Sequence, residues 1–256
     1  MLGKGFYVVE HEQGAENDNI QLWGNKGENP AELSAKASNQ VNLVPVPEVP
    51  GAFQLLNVLS HEECHRLIDI AETLGFNQDA AVSLPRHIRH NDSLTWLTDN
   101  TTESLIWQRC QAAMSAGIEV IGGMAPLGIN QRFRFYKYGE GDFFKPHTDG
   151  SWPGSKLIDG VHVQNAFDDR YSQMTFLILL SEDFDGGDTQ FWINDAEPSR
   201  PAQRGQPARQ VNVRTPAGSV LCFPHGMHPL HCVHSSEPIT RGTKYIIRTD
   251  LLFPLD

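Results

Sequence analysis

Cysteine is scarce in this sequence. Its 256 residues include four cysteines, and no two of them form a CxxC pair. That distribution excludes a zinc ribbon and a dense disulfide framework. The sequence therefore predicts reduced, mostly buried thiols in an intracellular protein, at positions Cys64, Cys110, Cys222 and Cys232.

Long apolar stretches and an excess of positive charge are also missing. No run approaches the length of a membrane-spanning helix, and the first residues hold no sustained apolar segment of the signal-peptide kind. The net charge of −11 argues against a protein that binds nucleic acid or an anionic membrane. We therefore predict a cytoplasmic protein with no nucleic-acid partner, and its 39% of hydrophobic residues can support a packed core.

The first fifty residues differ in composition from the rest. Residues 10–50 are rich in Asn, Gln, Glu, Gly and Ala, and the Pro-containing segment VPVPEVPGAF follows at their end. This composition is typical of an extension or loosely held arm that leads into a linker. We therefore assign residues 1–50 to an N-terminal extension and residues 51–256 to one compact domain.

Two segments have helical patterns. In SHEECHRLIDIAETLGF, Ser60 and Glu63 have the spacing of a capping box, apolar residues follow at helical spacing, and Gly75 supplies a stop signal. A second helix is predicted over residues 102–118.

From about residue 130 the pattern changes to short β-type runs, such as SQMTFLILL, separated by turn-forming clusters. Two helices followed by many short strands are typical of an α+β domain with a β-sandwich or barrel. Residues 150–170 are expected to be a lid, a substrate loop or a plain surface loop. The low-complexity segment 194–210 is predicted to be a mobile loop.

The most informative motif is His147-Thr148-Asp149. On a strand, residues i and i+2 point to the same face, so an imidazole and a carboxylate can bind one cation together. A His-x-Asp pair and one distant histidine form the facial triad of non-haem Fe(II) oxygenases, which leaves three coordination positions open. The motif therefore predicts a metal site if the chain supplies a second histidine.

Four candidate histidines lie downstream in HGMHPLHCVH, at a spacing of three. Pro229 argues against a helix here, and on a strand residues three apart point to opposite faces. Spacing alone does not select the ligand. The candidates are His225, His228, His231 and His234.

Three stretches carry a specific combination of motifs, namely HxD, GGxT, and a histidine followed ten residues later by Lys-Tyr. They are INQRFRFYKYGEGDFFKPHTDGSW, SQMTFLILLSEDFDGGDTQFW and GSVLCFPHGMHPLHCVHSSEPITRGTKYIIRTDLLF. Spanning roughly residues 128–253, they resemble the prolyl-4-hydroxylase-like branch of the 2-oxoglutarate- and Fe(II)-dependent dioxygenases. The resemblance implies an α+β fold with a double-stranded β-helix (jelly-roll) core and N-terminal supporting helices.

The same resemblance implies an enzyme. It would hydroxylate an unactivated C–H bond with Fe(II), 2-oxoglutarate and dioxygen. The substrate would be a prolyl or other peptide side chain, a free amino acid or another small metabolite.

The resemblance also implies a ligand set for the iron. It assigns His147, Asp149 and His234, since the turn after His234 aligns with the GTKY element of the family pattern. His231 is the alternative, because Arg241 follows it by the same ten residues and could imitate the arrangement. His234→Ala is then expected to abolish turnover and His231→Ala to leave most of it.

A cosubstrate site follows from the same comparison. Lys244 matches the residue that pairs, as a point charge, with the distal carboxylate of 2-oxoglutarate. Tyr138 sits where related enzymes have a tyrosine that hydrogen-bonds the cosubstrate, and Thr175 occupies a position that lines the same pocket. The chain departs from some members at Phe144, where they have a cosubstrate-binding tyrosine, so Tyr138 is the better candidate.

Polar residues beside these positions are candidates for substrate binding. Strand periodicity predicts one polar face, formed by Asn130, Arg132, Arg134, Tyr136 and Tyr138. Arg248 shares a face with Lys244 on the last strand and is a further candidate, with a structural pair to Asp250 as the alternative. Residues 89–92 are candidate rim residues. The polar face is expected either to contact substrate or to form structural hydrogen bonds.

Two other classes of function stay open from the sequence. A zinc hydrolase could use the same donors, but nothing in the sequence marks the general base that it needs. A jelly-roll module that binds a ligand without turnover would consume no 2-oxoglutarate. The expected partner is a small-molecule or peptide substrate, and no association with a membrane is expected. The sequence predicts no oligomeric state.

Overall fold

The structure, a computed structural model, describes residues 5–80, 84–203 and 205–255. These residues form two helices, α1 (His61–Leu74) and α2 (Asn100–Ala116). The strands, in chain order, are β1 (Phe6–Glu12), β2 (Ile20–Asn25), β3 (Asn42–Pro45), β4 (Phe53–Leu56), β5 (Arg89–His90), β6 (Asp92–Leu97), β7 (Gly128–Ile129), β8 (Arg132–Tyr138), β9 (Phe143–His147), β10 (Lys156–Ile158), β11 (Val161–Val163), β12 (Arg170–Leu179), β13 (Phe184–Gly186), β14 (Thr189–Asn194), β15 (Ala208–Val213), β16 (Val220–Pro224), β17 (Val233–Ser236), β18 (Ile239–Gly242) and β19 (Lys244–Pro254).

Both helices begin close to the residues that the sequence favours. The Ser60 side chain accepts a hydrogen bond from the backbone N–H of Glu63, and the Glu63 carboxylate accepts one from the N–H of Ser60. This is the predicted capping box. Asp99 caps α2 with its carboxylate, so that this helix begins and ends slightly before the predicted range of 102–118.

Two sheets enclose the candidate site. The large sheet has the order β1-β2-β6-β8-β19-β12-β16-β4-β3, with β7 paired to β19, and the small sheet has the order β15-β14-β17-β9-β5. Their side chains pack in one cluster, where Tyr138, Leu179 and Phe223 of the large sheet meet Phe191 and Val213 of the small sheet. Two sheets packed face to face confirm the predicted jelly-roll core.

The helices cover the opposite face of the large sheet. A second apolar cluster joins Phe133, Phe135 and Ile247 of the sheet to Ile70 of α1 and Ile106 of α2. Because side chains alternate along a strand, the residues between these apolar positions face the small sheet. The predicted α+β class with supporting helices is confirmed.

Residues 5–50 belong to this fold, which corrects their interpretation as a loosely held arm. β1 pairs with β2, β2 pairs in parallel with β6, and β3 pairs with β4. Ile20, Leu22, Ala31 and Leu33 are buried. These anchoring residues are few and widely spaced in a polar segment, so composition alone conceals them.

A buried ion pair fastens this segment to both helices. Arg109 of α2 donates hydrogen bonds of 2.9 and 2.7 Å to the Glu63 carboxylate, which also accepts the N–H of Ser34 at 2.8 Å. Burial opposes the charge of Glu63, but these hydrogen bonds hold its pKa below the ordinary value. Removing one partner of such a pair is strongly destabilising.

The remaining predictions concern loops and cysteines. Residues 150–170 contain the short β10–β11 hairpin, and β15 begins inside the predicted loop 194–210, of which Arg204 lies outside the described residues. The four cysteines are free and buried, as predicted, and burial raises the pKa of Cys64 and of Cys110 to about 12. Within the described ranges, no helix has the length and apolar character of a membrane span.

Candidate metal centre

His147 and His234 lie opposite each other on adjacent strands. His147 ends β9, His234 lies in β17, and the two are register partners. Their ring centroids are 4.2 Å apart. Asp149 lies just beyond the end of β9, two residues after His147. The pairing of β9 with β17 therefore brings the HxD motif to a histidine far along the chain.

The potential ligand atoms of these three residues form a compact group. One atom from each lies within 4.8 Å of the others. His147 Nε2 is 3.9 Å from Asp149 Oδ1, and His234 Nε2 is 3.7 Å from Asp149 Oδ2. No second cluster of this kind occurs in the part of the chain that the structure describes. His147, Asp149 and His234 are called the trio below.

Backbone carbonyls set the tautomer of both imidazoles. His147 Nδ1 lies 2.8 Å from the carbonyl oxygen of Lys145, and His234 Nδ1 lies 3.2 Å from that of Cys232. A carbonyl oxygen only accepts, so each Nδ1 carries the proton and donates it. Each Nε2 keeps its lone pair, which is the state in which histidine binds a metal.

The charges of the trio suit a divalent cation. Burial lowers the pKa of His147 to about 3 and also lowers the pKa of His234, so both rings are neutral near pH 7. Burial opposes the charge of Asp149, but the Arg248 guanidinium holds the pKa of its carboxyl well below the usual range. Two neutral imidazoles and one carboxylate are the donor set of a non-haem Fe(II) site, and the residues present fit that ion.

Two neighbours hold the Asp149 carboxylate. Thr175 Oγ1 donates a hydrogen bond of 2.6 Å to Oδ2, and Arg248 Nε donates one of 3.2 Å to the same oxygen. No donor among the described residues binds Oδ1, which faces His147 Nε2. Thr175 and Arg248 therefore orient Asp149 through one oxygen and leave the other for a metal.

His225 extends this support behind Thr175. Its Nδ1 lies 2.9 Å from Thr175 Oγ1 and its Nε2 lies 2.9 Å from Ser172 Oγ. Because Thr175 donates to Asp149, His225 Nδ1 must donate to Thr175, and its Nε2 accepts from Ser172. His225 is fully buried. The histidine-rich segment thus supplies a positioning group that spacing did not reveal.

His228 and His231 lie in the turn before β17 and outside the trio. The N–H of His231 donates to the carbonyl of His228, and neither ring is among the three clustered side chains. The structure therefore brings His234 to His147, and not His231.

Lys244 begins β19 on the wall of the same cavity. Its side chain is buried, with the residue 2% exposed, and Nζ donates to the carbonyl of Gly187 at 2.6 Å and lies 3.4 Å from Ser236 Oγ. Burial lowers the pKa of Lys244 to about 8. No carboxylate in the described ranges forms an ion pair with it. A buried ammonium group without an anionic partner fits a ligand carboxylate.

The trio and Lys244 line one cavity of about 400 Å³, a volume in the range of small-molecule sites. Phe144 stacks on His147, with ring centroids 3.4 Å apart and planes inclined by 13°. Tyr138 is the register partner of Lys244, and burial raises its pKa. The aromatic side chains in the cavity wall are Tyr136, Tyr138, Phe144, Trp152 and Phe223.

Arg132 and Arg134 do not line this cavity, in contrast to their prediction as substrate-binding residues. Arg132 forms an ion pair of 2.7 Å with Glu12 of β1. Arg134 lies 3.8 Å from Asp250, and its guanidinium carbon is 5.1 Å from the ring centroid of Trp152. Both arginines contact residues from distant parts of the chain. Strand periodicity does not predict such contacts.

Of the other predicted substrate-binding residues, Tyr136 and Arg248 line the cavity. Arg248 also lies 3.1 Å from Asp250, so the alternative structural pair is present, and its role in substrate binding stays a prediction. Arg89, expected only at the rim, lies in the cavity wall beside Phe144, its register partner in β9. Nothing in the sequence around Arg89 indicated that position.

Comparison with known proteins places this geometry in context. Residues 133–249 match the model of the 2OG-Fe(II) oxygenase superfamily, and the matched region includes the trio and Lys244. No curated protein matches the chain.

Several solved structures are similar to the chain at low sequence identity. A prolyl hydroxylase from Trichoplax adhaerens, solved with a hypoxia inducible factor oxygen degradation domain peptide fragment, is 16% identical with a TM-score of 0.50, over 81% of this chain and 84% of that one. A Pseudomonas putida prolyl-4-hydroxylase is 17% identical with a TM-score of 0.48, over 78% and 91%. Viral collagen prolyl hydroxylase from Paramecium Bursaria Chlorella virus-1 is 15% identical with a TM-score of 0.47, over 79% and 96%. At 16% identity the likeness to the Trichoplax adhaerens structure concerns the fold alone.

Proposed function

We propose that this chain, whose residues 133–249 belong to the 2OG-Fe(II) oxygenase superfamily, is a 2-oxoglutarate- and Fe(II)-dependent dioxygenase that hydroxylates an unactivated C–H bond. His147, Asp149 and His234 are the proposed iron ligands. One observation supports this above all: three ligand atoms within 4.8 Å of one another share a cavity with the buried ammonium group of Lys244, which forms no ion pair with any described residue.

The protein groups have separate proposed roles. When bound, Fe(II) with 2-oxoglutarate activates dioxygen, so that one oxygen atom enters the substrate C–H bond and the other enters succinate, with release of CO₂. Lys244 pairs with the distal carboxylate of 2-oxoglutarate, and Tyr138 donates a hydrogen bond to the same molecule. Thr175 and Arg248 hold Asp149 in place, and the aromatic walls exclude water from the reacting centre.

The proposed primary substrate is a prolyl or other peptide side chain, a free amino acid or another small metabolite. The resemblance of the HxD, GGxT and Lys-Tyr motifs to the prolyl-4-hydroxylase-like branch supports the first of these. The cavity volume is compatible with each.

The composition of the cavity wall argues against a zinc hydrolase. Such an enzyme needs a general base beside the metal. Among the described residues that line the cavity, the trio accounts for every histidine and carboxylate. No histidine or carboxylate of the wall is left to act as that base once the three have bound a metal.

Anaerobic addition of Fe(II) and 2-oxoglutarate tests the proposal without knowledge of the substrate. We expect a visible metal-to-ligand charge-transfer band, which reports the cosubstrate bound directly to iron. His147→Ala should remove the band, Lys244→Ala should shift its appearance to higher 2-oxoglutarate concentration, and His231→Ala, outside the trio, should leave it unchanged.

Two results would overturn the proposal. One is a folded wild-type protein that binds Fe(II) and shows no band at saturating 2-oxoglutarate. The other is a band that persists in His147→Ala. A ligand-binding jelly roll without turnover predicts the first.

A further inference from the structure

The cationic side chains around the cavity outnumber the anionic ones. Among the described wall residues, Arg89, Lys244 and Arg248 are cationic, and Asp149 is the one carboxylate. Arg248 is paired with Asp149 and with Asp250. Lys244 is the proposed partner of 2-oxoglutarate. Arg89 is left with no anion assigned to it.

The Arg89 side chain is held in a fixed position. The residue is 8% exposed, and Nε donates a hydrogen bond of 2.9 Å to Asn91 Oδ1. The guanidinium carbon lies 4.7 Å from the ring centroid of Tyr136 and 5.5 Å from that of Phe144, and such stacking stabilises a cation. Within the described ranges, the two terminal nitrogens have no hydrogen-bond partner. A planar guanidinium with two free NH₂ groups matches a carboxylate in a bidentate manner.

Acidic residues in the neighbourhood do not satisfy Arg89. A small second cavity that Arg89 also borders contains Asp79 and Glu16. The Asp79 carboxylate accepts the backbone N–H groups of Glu16 and Asn17 at 2.7 and 2.9 Å, and Glu16 is exposed. Neither acid forms an ion pair with Arg89 in the described structure. A buried cation without a partner is unfavourable, which points to an external anion.

Arg89 and Lys244 approach the cavity from different sheets. Arg89 lies in β5 of the small sheet and is the register partner of Phe144, whose ring stacks on His147. Lys244 lies in β19 of the large sheet and pairs with Tyr138. The cavity thus presents two separate cationic positions, which can bind the carboxylates of two different molecules.

We propose that Arg89 binds a carboxylate of the primary substrate. The primary substrate is therefore a carboxylic acid, and its reacting carbon lies beside the trio and between the aromatic side chains of the cavity wall. The inference rests on the proposed function and narrows its substrate class. The carboxylate belongs either to a small free acid or to an acidic side chain of a peptide.

Thermal unfolding of the full chain with paired probes tests this. The protein is loaded anaerobically with Fe(II) and saturating 2-oxoglutarate, so that the Lys244 position is filled. Benzoate is then compared with benzamide, and acetyl-Gly-Asp-Gly-amide with its Asn counterpart. We expect the carboxylate of at least one pair to raise the Tm by a few degrees where its neutral counterpart does not, and the responding pair names the source of the carboxylate.

Variants assign the effect to Arg89. Arg89→Gln is expected to raise the half-saturating concentration of the responding probe by about tenfold or more. Arg241→Gln, at an exposed arginine paired with Asp185, should leave it unchanged. Arg89→Lys keeps the charge but loses the planar fork, so a severalfold weakening is expected, and it carries the test if Arg89→Gln does not fold.

The contradicting results are clear in each arm. Equal shifts from carboxylate and neutral probes in both pairs overturn the proposal, as does a carboxylate effect that survives in the folded Arg89 variants. A probe that competes with 2-oxoglutarate assigns the anion to the Lys244 position and also overturns it. The visible Fe(II)–2-oxoglutarate band distinguishes failure of the carboxylate proposal from failure of the proposed function. If the band is present and the Arg89 variants do not weaken binding of the carboxylate probe, the carboxylate proposal fails while the proposed function stands.

Discussion

The two faces of the large sheet are built from alternate residues of the same strands, yet they differ in chemistry. On the helix side, β8 contributes Phe133 and Phe135, and β19 contributes Ile247, all within one apolar cluster. On the cavity side, the neighbouring residue of β8 is Tyr136 and that of β19 is Arg248. A period of two therefore separates a face that stabilises the fold from a face that carries polar and charged groups.

The two faces contribute differently to the free energy of unfolding. Burial of apolar side chains on the helix face contributes favourable free energy, whereas buried charges are unfavourable unless they are paired. Arg248 is paired within the protein. Lys244 and Arg89 are not, in the part of the chain described. The unpaired groups on the cavity side are thus the ones that a ligand would complete.

The largest expected effect comes from the trio. His234→Ala removes one of three proposed iron ligands without opening the helix-side core, so we expect loss of Fe(II)-dependent turnover with little change in the free energy of unfolding. Fe(II)-dependent conversion of 2-oxoglutarate into succinate measures the turnover, and urea unfolding measures the free energy of unfolding. His231→Ala is the matched control and should keep most of the turnover. The reverse ranking would contradict the assignment.

The helix face should respond in the opposite way. Phe135→Ala leaves a cavity in the apolar cluster, and we expect it to lower the free energy of unfolding by about 3–5 kcal/mol. Phe143→Ala, at a half-buried phenylalanine of β9, should have a clearly smaller effect in the same urea experiment. A loss below about 1 kcal/mol for Phe135→Ala would mean that the two faces do not divide their roles as described.

Lys244 should make cosubstrate binding depend on pH. Its pKa is lowered by burial from 10.5 to about 8, so the ammonium group is lost as the pH rises through about 8. The half-saturating 2-oxoglutarate concentration should then increase by up to about tenfold per pH unit above that value, as measured by the visible band. Lys244→Arg, which stays charged, should flatten the dependence, and an equal dependence in both proteins would count against the ion pair.

Without cosubstrate, the same group has the opposite influence on stability. The unfolded chain retains the Lys244 proton up to about its ordinary pKa of 10.5, whereas the folded protein releases it near 8. The contribution of Lys244 to the free energy of unfolding therefore rises between these two pH values.

The smallest effect is expected behind the trio. Thr175→Val removes the 2.6 Å hydrogen bond to Asp149, and loss of such a supporting contact weakens metal binding by about tenfold or somewhat more. Thr175→Ser keeps the hydroxyl and should restore most of the affinity in the Fe(II) titration. Equal affinity in the valine and serine variants would show that the hydroxyl does not orient Asp149.

The cavity side was predictable where a motif repeats a family pattern. The HxD motif and the ten-residue spacing from His234 to Lys244 selected the residues that the structure brings together. The spacing among the four downstream histidines alone did not distinguish them. Their roles as ligands remain predictions. On the helix side, the start of α1 was predictable from the sequence, because Ser60 and Glu63 form a capping box within four residues of the chain.

Other features depend on contacts that no local pattern contains. β2 joins the sheet beside β6, which lies about seventy residues further along the chain, so residues 5–50 resembled an arm. β1, which pairs with β2 at the edge of the sheet, places Glu12 next to Arg132, and Arg132 does not line the cavity. Arg89 enters the cavity because a two-residue strand pairs with β9. The cytoplasmic location stays a prediction.

A crystal structure of the protein grown anaerobically with Fe(II) and 2-oxoglutarate tests the central claim most directly. The account predicts one iron bound by Nε2 of His147, by the carboxylate of Asp149 and by Nε2 of His234, with the distal carboxylate of 2-oxoglutarate at Lys244. Iron bound through His225, His228 or His231, or 2-oxoglutarate with no contact to Lys244, would contradict it.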